Sequence, residues 1–419
     1  MDHLRPTRRV PAAWALLLTA CGGSLAGGAG GSPGTGGAVA TGGSPSTGIR
    51  AATGGSSAGG SGGGGPTGAG AFAPGPWIDR SAGTQADGLN WQRLASDATG
   101  TRLVAVAAGG PNPLANANIW TSSDAGASWT NRTAGTQASG QHWIWVASDS
   151  SGAQLVAVTA VLMAGETNDV WTSSDAGATW IKRTSIDAGF VRGVVASDST
   201  GARLALAVGD VWTSSDAGIT WTDQTLASPA GLQDCYGVAS DSSGDHLLAM
   251  TAVSGGSVDL WTSADAGKTW TNRTQATATS YQFWSGLASD NTGTFLVAVS
   301  QDSANQGMGD IWTSRDSGAT WTNQTKGTAA SGDQFSAVAS DANGTNLVAA
   351  GGSGIWRSAD SGVTWTNETI ATSAYGQIWV SLAVDAGGSH FAAISNGGPV
   401  SSNVNGLCCI GSIWTRIPR

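Results

Sequence analysis

The stretch IWTSSDAGASWTNRT, residues 119–133, decides how this chain folds. It returns as VWTSSDAGATWIKRT at 170–184, VWTSSDAGITWTDQT at 211–225 and LWTSADAGKTWTNRT at 260–274. It returns again as IWTSRDSGATWTNQT at 311–325 and IWRSADSGVTWTNET at 355–369, and a shortened copy, IWTRIPR, occupies 413–419. Self-similarity at a period of about 40 to 50 residues marks a propeller or a solenoid. Each copy is a β-branched and aromatic run, a polar turn, then a second such run, which reads as a hairpin. The Asp carboxylate can accept N–H groups of its own turn. The Gly supplies positive φ, and the closing Trp supplies apolar area for packing between sheets.

A second phrase precedes each copy. It begins WQRLASDATGTRLVAV at Trp91 and recurs from Trp143, Arg192, Cys235, Trp284, Phe335 and Trp379. Each instance reads as a strand, an Asp-x-x-Gly turn and a second strand, as at Asp97 and Gly100. Every unit therefore has four strands, the pattern of a propeller blade. The last unit lacks its outer strand. The run WIDRSAGTQADGLNW at 77–91 matches WTNRTAGTQASGQHW at 129–143 and supplies it. The expectation is an all-β, seven-bladed propeller over 76–419, with the N-terminal strand closing blade seven.

The core of the first phrase is Ser-x-Asp-x-Gly-x-Ser/Thr-Trp, as in Ser122, Asp124, Gly126, Ser128 and Trp129. It resembles the Asp-box (BNR) repeat of sialidase-like β-propellers. That resemblance implies a structural role for Asp124, Asp175, Asp216, Asp265, Asp316 and Asp360, away from any active site. It also implies what a sialidase would need: three arginines around one carboxylate, a Tyr/Glu pair and an Asp acid. Only Arg93 and Arg192 fall on inner strands, so that triad is missing. Xyloglucanase-like relatives use paired Asp residues in a cleft between two propellers, and one propeller is expected here. Photosystem-assembly-factor-type relatives present an arginine patch that this chain lacks.

The 419-residue chain carries a net charge of −9 and three lysines, a poor match to nucleic acid. Residues 1–20 have a basic start and a short apolar run, read as a secretory signal rather than a membrane span. The run ends in Leu18-Thr19-Ala20-Cys21, which resembles a bacterial lipobox. By that resemblance Cys21 is lipidated, and the protein is exported to a bacterial cell envelope and membrane-anchored. Residues 21–75 are Gly, Ser, Ala and Thr with little else, the composition of a flexible linker. Cys235, Cys408 and Cys409 have no zinc spacing and leave their pairing open. No motif calls for a cofactor or a metal, and a monomer is expected.

Binding is expected on the face carrying the loops between blades and between second and third strands, where the repeats vary most. Residues outside the repeat code collect there: Trp91, Trp143, Trp145, Trp284 and Trp379, with His142, Tyr281 and Arg192. Aromatic faces at the starts of inner strands would stack on a glycan or grip a protein ligand; the competing reading is packing between blades. The favoured function is a non-catalytic binding propeller. The alternative is a glycoside hydrolase using two carboxylates from Asp87, Asp187, Asp234, Asp302, Asp333 and Glu166.

Overall fold

A computed structural model describes residues 76–108, 117–161, 166–186, 193–225, 234–252, 258–274, 282–301, 309–396 and 411–416. These form seven four-stranded antiparallel sheets. In blade one the strands are Asn90–Ser96, Leu103–Ala108, Asn118–Ser122 and Thr130–Asn131, paired in that order. Blade seven is completed from both ends of the chain. Trp379–Val384, Phe391–Asn396 and Gly411–Arg416 pair in sequence, and Ile78–Asp79 adds the outer edge. Ile78 lies opposite Thr415 and Asp79 opposite Trp414. The expected architecture and closure are both present.

The second strands read LVAVAA, LVAVT, LALAV, LLAMTA, LVAVSQ, LVAAG and FAAISN, and each is buried nearly throughout. A blade has neighbours on both faces, so both sets of side chains must be apolar. The alternation of small and large residues has a packing reason. Ala105 pairs with Trp120, Ala157 with Trp171 and Ala249 with Trp261. The alanine leaves room on its face for the neighbouring indole. Seven separate wedge cores result, each shared by two adjacent blades.

The turns between first and second strands join the blades into a ring. Ala98 N–H donates to the Ser150 carbonyl, Ser150 to Ser199, Ser199 to Ser242 and Ser242 to Asn291. Asn291 donates to Ala342, Ala342 to Ala386, and Ala386 back to Ala98, all at 2.9–3.2 Å. The aspartate before each of these residues is buried and organises its own turn. Asp97 accepts the Thr101 and Arg102 amides and the Thr99 hydroxyl. The turn glycine has positive φ, and its missing Cβ leaves space for a side chain of the preceding blade, as Gly344 does for Phe295.

The hairpins between third and fourth strands repeat one hydrogen-bond set. Asp216 accepts the Ser214 hydroxyl at 2.8 Å, the Thr220 amide at 2.8 Å and the Thr220 hydroxyl at 2.6 Å. The Thr220 bonds, side chain then backbone, pull the Asp216 carboxyl down to about 2. In Asp124, Asp175, Asp265, Asp316 and Asp360 burial opposes ionisation, and the same bonds outweigh it. These six carboxylates are fully used in holding their turns. Blade seven lacks this hairpin. There Arg416 replaces the turn serine and lies 2.9 Å from Glu368 of blade six, both side chains buried.

Candidate functional site

The innermost strands share an irregularity at the loop face. Register shifts by one residue between Trp91 and Arg93, Trp143 and Trp145, Cys235 and Gly237, Trp284 and Gly286, and Trp379 and Ser381. A bulge of this kind leaves one residue unpaired and rotates those before it. Residues three apart then share a face: Trp91 with Leu94, Trp143 with Val146, Cys235 with Val238 and Trp379 with Leu382. The aromatic side chains thus turn into the wedge cores.

This corrects the expected stacking platform. Trp91 and Trp143 are 0 % exposed, and Trp284 and Trp379 are 3 % exposed. Each lies edge-on to the third-strand tryptophan of its blade, with ring centroids 6.0–6.2 Å apart. Each also tilts against an outer-strand tryptophan at 6.0–6.4 Å. No ring face is left for a ligand. The asymmetry among blades one, two, five and seven is an asymmetry of packing. Blades four and six fill the same position with buried Cys235 and Phe335. Cys235 is a free thiol, and burial pushes its ionisation up.

Trp145 is half-buried, but its ring is covered. The Arg93 guanidinium stacks 4.3 Å from its centroid, while Arg93 Nη1 donates to the Gln92 and Val380 carbonyls. Arg93 thereby ties blades seven, one and two together. Other loop-face contacts between blades use backbone and side chains: Gly209 and Cys235 exchange N–H to carbonyl bonds, and the Gly411 N–H donates to the Leu89 carbonyl. Tyr236 donates to the Trp284 carbonyl, Ser285 to Phe335, Ser336 to Trp379, and Asn396 to Trp91. His142 sits half-buried beside Trp143. Arg192 and Tyr281 lie outside the described residues.

The candidate carboxylates are spread over loops of different blades. Asp333 is an anchor for the 351–354 turn. It accepts the Ser353 amide and hydroxyl, the Gln334 amide, and the Trp356 indole N–H at 2.7 Å. Asp87 is exposed and accepts the Gly83 amide within its own loop. Asp234 is exposed at φ 57, next to Cys235, and Glu166 is half-buried before the third strand of blade two. Asp187, Asp302, Cys21, Cys408 and Cys409 lie outside the described residues. Among the described residues no three His, Cys, Asp or Glu side chains group as a metal site.

The exposed apolar surface on the loop face lies elsewhere. Four described inter-blade loops, 81–90, 133–142, 325–334 and 369–378, share one backbone design. A Thr hydroxyl donates three residues back, as Thr136 does to the Thr133 carbonyl and Thr372 to the Thr369 carbonyl. A buried alanine follows in each: Ala86, Ala138, Ala330 and Ala374. Loop 369–378 alone carries large apolar side chains outward. Ile370, Tyr375 and Ile378 are 60 %, 56 % and 58 % exposed. Their counterparts are Ala134, Ser139 and His142 in loop 133–142, and Lys326, Ser331 and Gln334 in loop 325–334. Ala371, at φ 61, stands where the other three loops have glycine. Aligning these loops in the sequence would have found the patch.

No family model and no curated protein matches the chain. Among solved structures, it is similar to a GH74 xyloglucanase from Xanthomonas campestris, with TM-score 0.56 and 16 % identity. That match covers 81 % of this chain but only 55 % of the enzyme. It is also similar to YCF48 bound to a D1 peptide, with TM-score 0.55 and 14 % identity, over 83 % of this chain and 98 % of YCF48. At these identities the likeness is one of fold: a seven-bladed β-propeller.

Proposed function

We propose that this chain is a non-catalytic binding propeller, held at a bacterial cell envelope by a lipidated Cys21, that takes a protein ligand on its loop face. The observation that carries the reading is loop 369–378. Three large apolar side chains exposed on one of four otherwise alike loops do nothing for the fold that alanine, serine and histidine do not do in loop 133–142. Exposed apolar groups gathered in one place mark an interaction surface. The ten residues from Thr369 to Ile378 contain no charged side chain, in a chain of net charge −9. The patch therefore suits an apolar or aromatic peptide segment better than a cationic one. That a propeller of the same fold engages a peptide supports the use of this scaffold for such a ligand.

The catalytic alternative has less support. Asp333 is committed to a turn, and Asp87 and Asp234 sit on loops of different blade junctions. Two tests address the proposal. Screening the full-length protein against peptide and glycan arrays should return apolar peptides that protect 369–378 from hydrogen exchange; glycan hits that protect other loops would replace the protein ligand. Mass spectrometry of the mature protein from a bacterial host should find an acylated Cys21, and an unmodified start elsewhere removes the anchor.

A further inference from the structure

The face opposite the loops carries a second cavity. It lies in the wedge between blades one and two and has a volume of about 160 Å³. Arg102 and Arg132 line it, with Ser122, Ser123, Ser148 and Gly152. The equivalent wedge between blades seven and one holds only about 10 Å³. Position by position the two linings correspond: Ser96 to Ser148, Gly100 to Gly152, Leu103 to Leu155, Thr415 to Thr121, and His390 to Arg102. Phe391 fills the blade-seven wedge where blade one has Leu103. Shape alone thus leaves one wedge closed and the other open.

Charge separates this wedge from the rest. Two residue positions set it: the one ending the first turn, and the one on the outer strand. Blade two has Gln154 with Arg183, blade three Arg203 with Gln224, blade four His246 with Arg273, blade five Phe295 with Gln324, and blade seven His390 with Arg80; His246 and His390 each contact an aspartate of their own turn. Arg203 is paired with Asp245, and blade six places Glu368 at the outer position. Only blade one puts arginine at both positions, and no carboxylate lines the cavity. The acids flanking the lining are engaged in their own turns: Asp97 by the Thr101 and Arg102 amides, Asp149 by Ser151 and the Ala153 and Gln154 amides, Asp124 by Ser122 and Ser128, and Asp175 by Ser173 and Thr179. Arg132 is fixed by its Nε bond to Thr121 Oγ1 at 2.7 Å, which leaves its terminal nitrogens for another partner. The Ser123 hydroxyl is exposed at the rim.

We propose that this wedge is a binding site for a tetrahedral oxyanion, a phosphate or sulfate group free or carried as an ester. Two guanidinium groups with the Ser123 hydroxyl at the rim suit the charge of such a group, and an Arg–oxyanion pair in a partly closed cavity is charge-assisted on both sides. The site is independent of the loop face and of any peptide held there.

The chain itself supplies mild substitutions for the test. Arg132→Gln copies Gln224 and Gln324, which keep the bond to their threonines at 2.6 and 2.7 Å. Arg102→Gln copies Gln154. Full-length protein is titrated calorimetrically with inorganic phosphate and with sulfate, alongside Arg102→Gln, Arg132→Gln and the control Arg273→Gln. The expected result is saturable one-to-one binding in the parent and the control. Each blade-one variant should bind at least about tenfold more weakly, as expected for losing a charged hydrogen-bond donor, with its melting temperature unchanged. A parallel arm with phosphatidylglycerol vesicles, read by co-sedimentation, separates a lipid phosphate from a free one. No saturable binding to any probe, or equal binding by parent and both variants, overturns the proposal.

Discussion

The two faces of this propeller are built from the same seven repeats but under different constraints. On the tight-turn face every blade uses one solution. An aspartate holds the turn, a positive-φ glycine admits the neighbouring blade's side chain, and a backbone N–H reaches the next blade. The ring of seven such bonds has no gap. On the loop face backbone bonds join only some blades, as Gly209 with Cys235 and Gly411 with Leu89, and the other joins are side chains that differ: tyrosine at 236, serine at 285 and 336, asparagine at 396, arginine at 93. Glycines of the tight turns and of the inter-blade loops differ in the same way, although Gly309 and Gly411 on the loop face press on backbone carbonyls. A Cβ on Gly201 would meet the Gln154 side chain, whereas one on Gly83, Gly135 or Gly327 would meet nothing, and position 371 is already alanine. An unbroken backbone ring fixes one face, and the other, joined by backbone at some junctions and by differing side chains at others, has more freedom to vary, which is where recognition can be placed.

The largest test of this contrast removes the closure itself. Deletion through Ser81 takes away buried Trp77, the Arg80 bond to Thr415 and the Ser81 bond to the Ile413 amide. It also leaves the strand at 411–416 as an open edge, prone to association. Melting should fall by about 5 °C or more, given roughly 3–5 kcal/mol for a buried tryptophan alone in a propeller of this size. Deletion through residue 70 should leave melting unchanged, and equal melting of the two would break the account.

Next in size is a loop-face residue that behaves as core. Trp143→Ala should cost roughly 3–5 kcal/mol, because Trp143 packs on Trp171 and Trp180. Thermal melts check this, and a loss under about 1 kcal/mol would mean that the ring is not held between blades.

The acid limit of the tight-turn face is a smaller effect. Asp216 has its folded-state carboxyl pulled to about 2 from an ordinary 3.8. A group depressed on folding stabilises above its unfolded value and loses that contribution as pH falls through its folded value. Melting temperature should therefore be flat above about pH 4 and decline toward pH 2. Thr220→Val, which removes one bond to Asp216, brings the folded value back toward 3.8, so the variant should melt lower near neutral pH and lose less between about pH 4 and pH 2. Identical acid profiles for parent and variant would show that these turns do not set the limit.

Repetition made the fold legible. Six full copies of the first phrase, its shortened seventh and seven copies of the second gave strand count and order, and the match of 77–91 to 129–143 placed the last strand. The six turn aspartates were legible for the same reason. The binding surface was misread through the bulges. Alternation along a regular strand puts Trp91 on the face of Arg93 and Ala95. The extra residue at 92 instead puts it with Leu94, inside. Nothing in WQRLAS marks a bulge. The patch at 370, 375 and 378 was visible only as a departure of one loop from three others. The open wedge at Arg102 needed the structure, since it depends on Leu103 being smaller than Phe391.

On the proposed reading the three outward side chains of loop 369–378 recognise a partner and add nothing to folding, while buried Ala374 anchors the loop. The variant Ile370→Ala, Tyr375→Ser, Ile378→His converts its three outward positions to those of loop 133–142 and tests this directly. The account predicts a melting temperature within about 1 °C of the parent, since all three side chains are exposed. It also predicts about thirtyfold weaker binding of the array-selected peptide, the loss of about 2 kcal/mol expected for one aromatic anchor. Parental affinity in the folded variant, or a melting temperature lowered by several degrees, would contradict it.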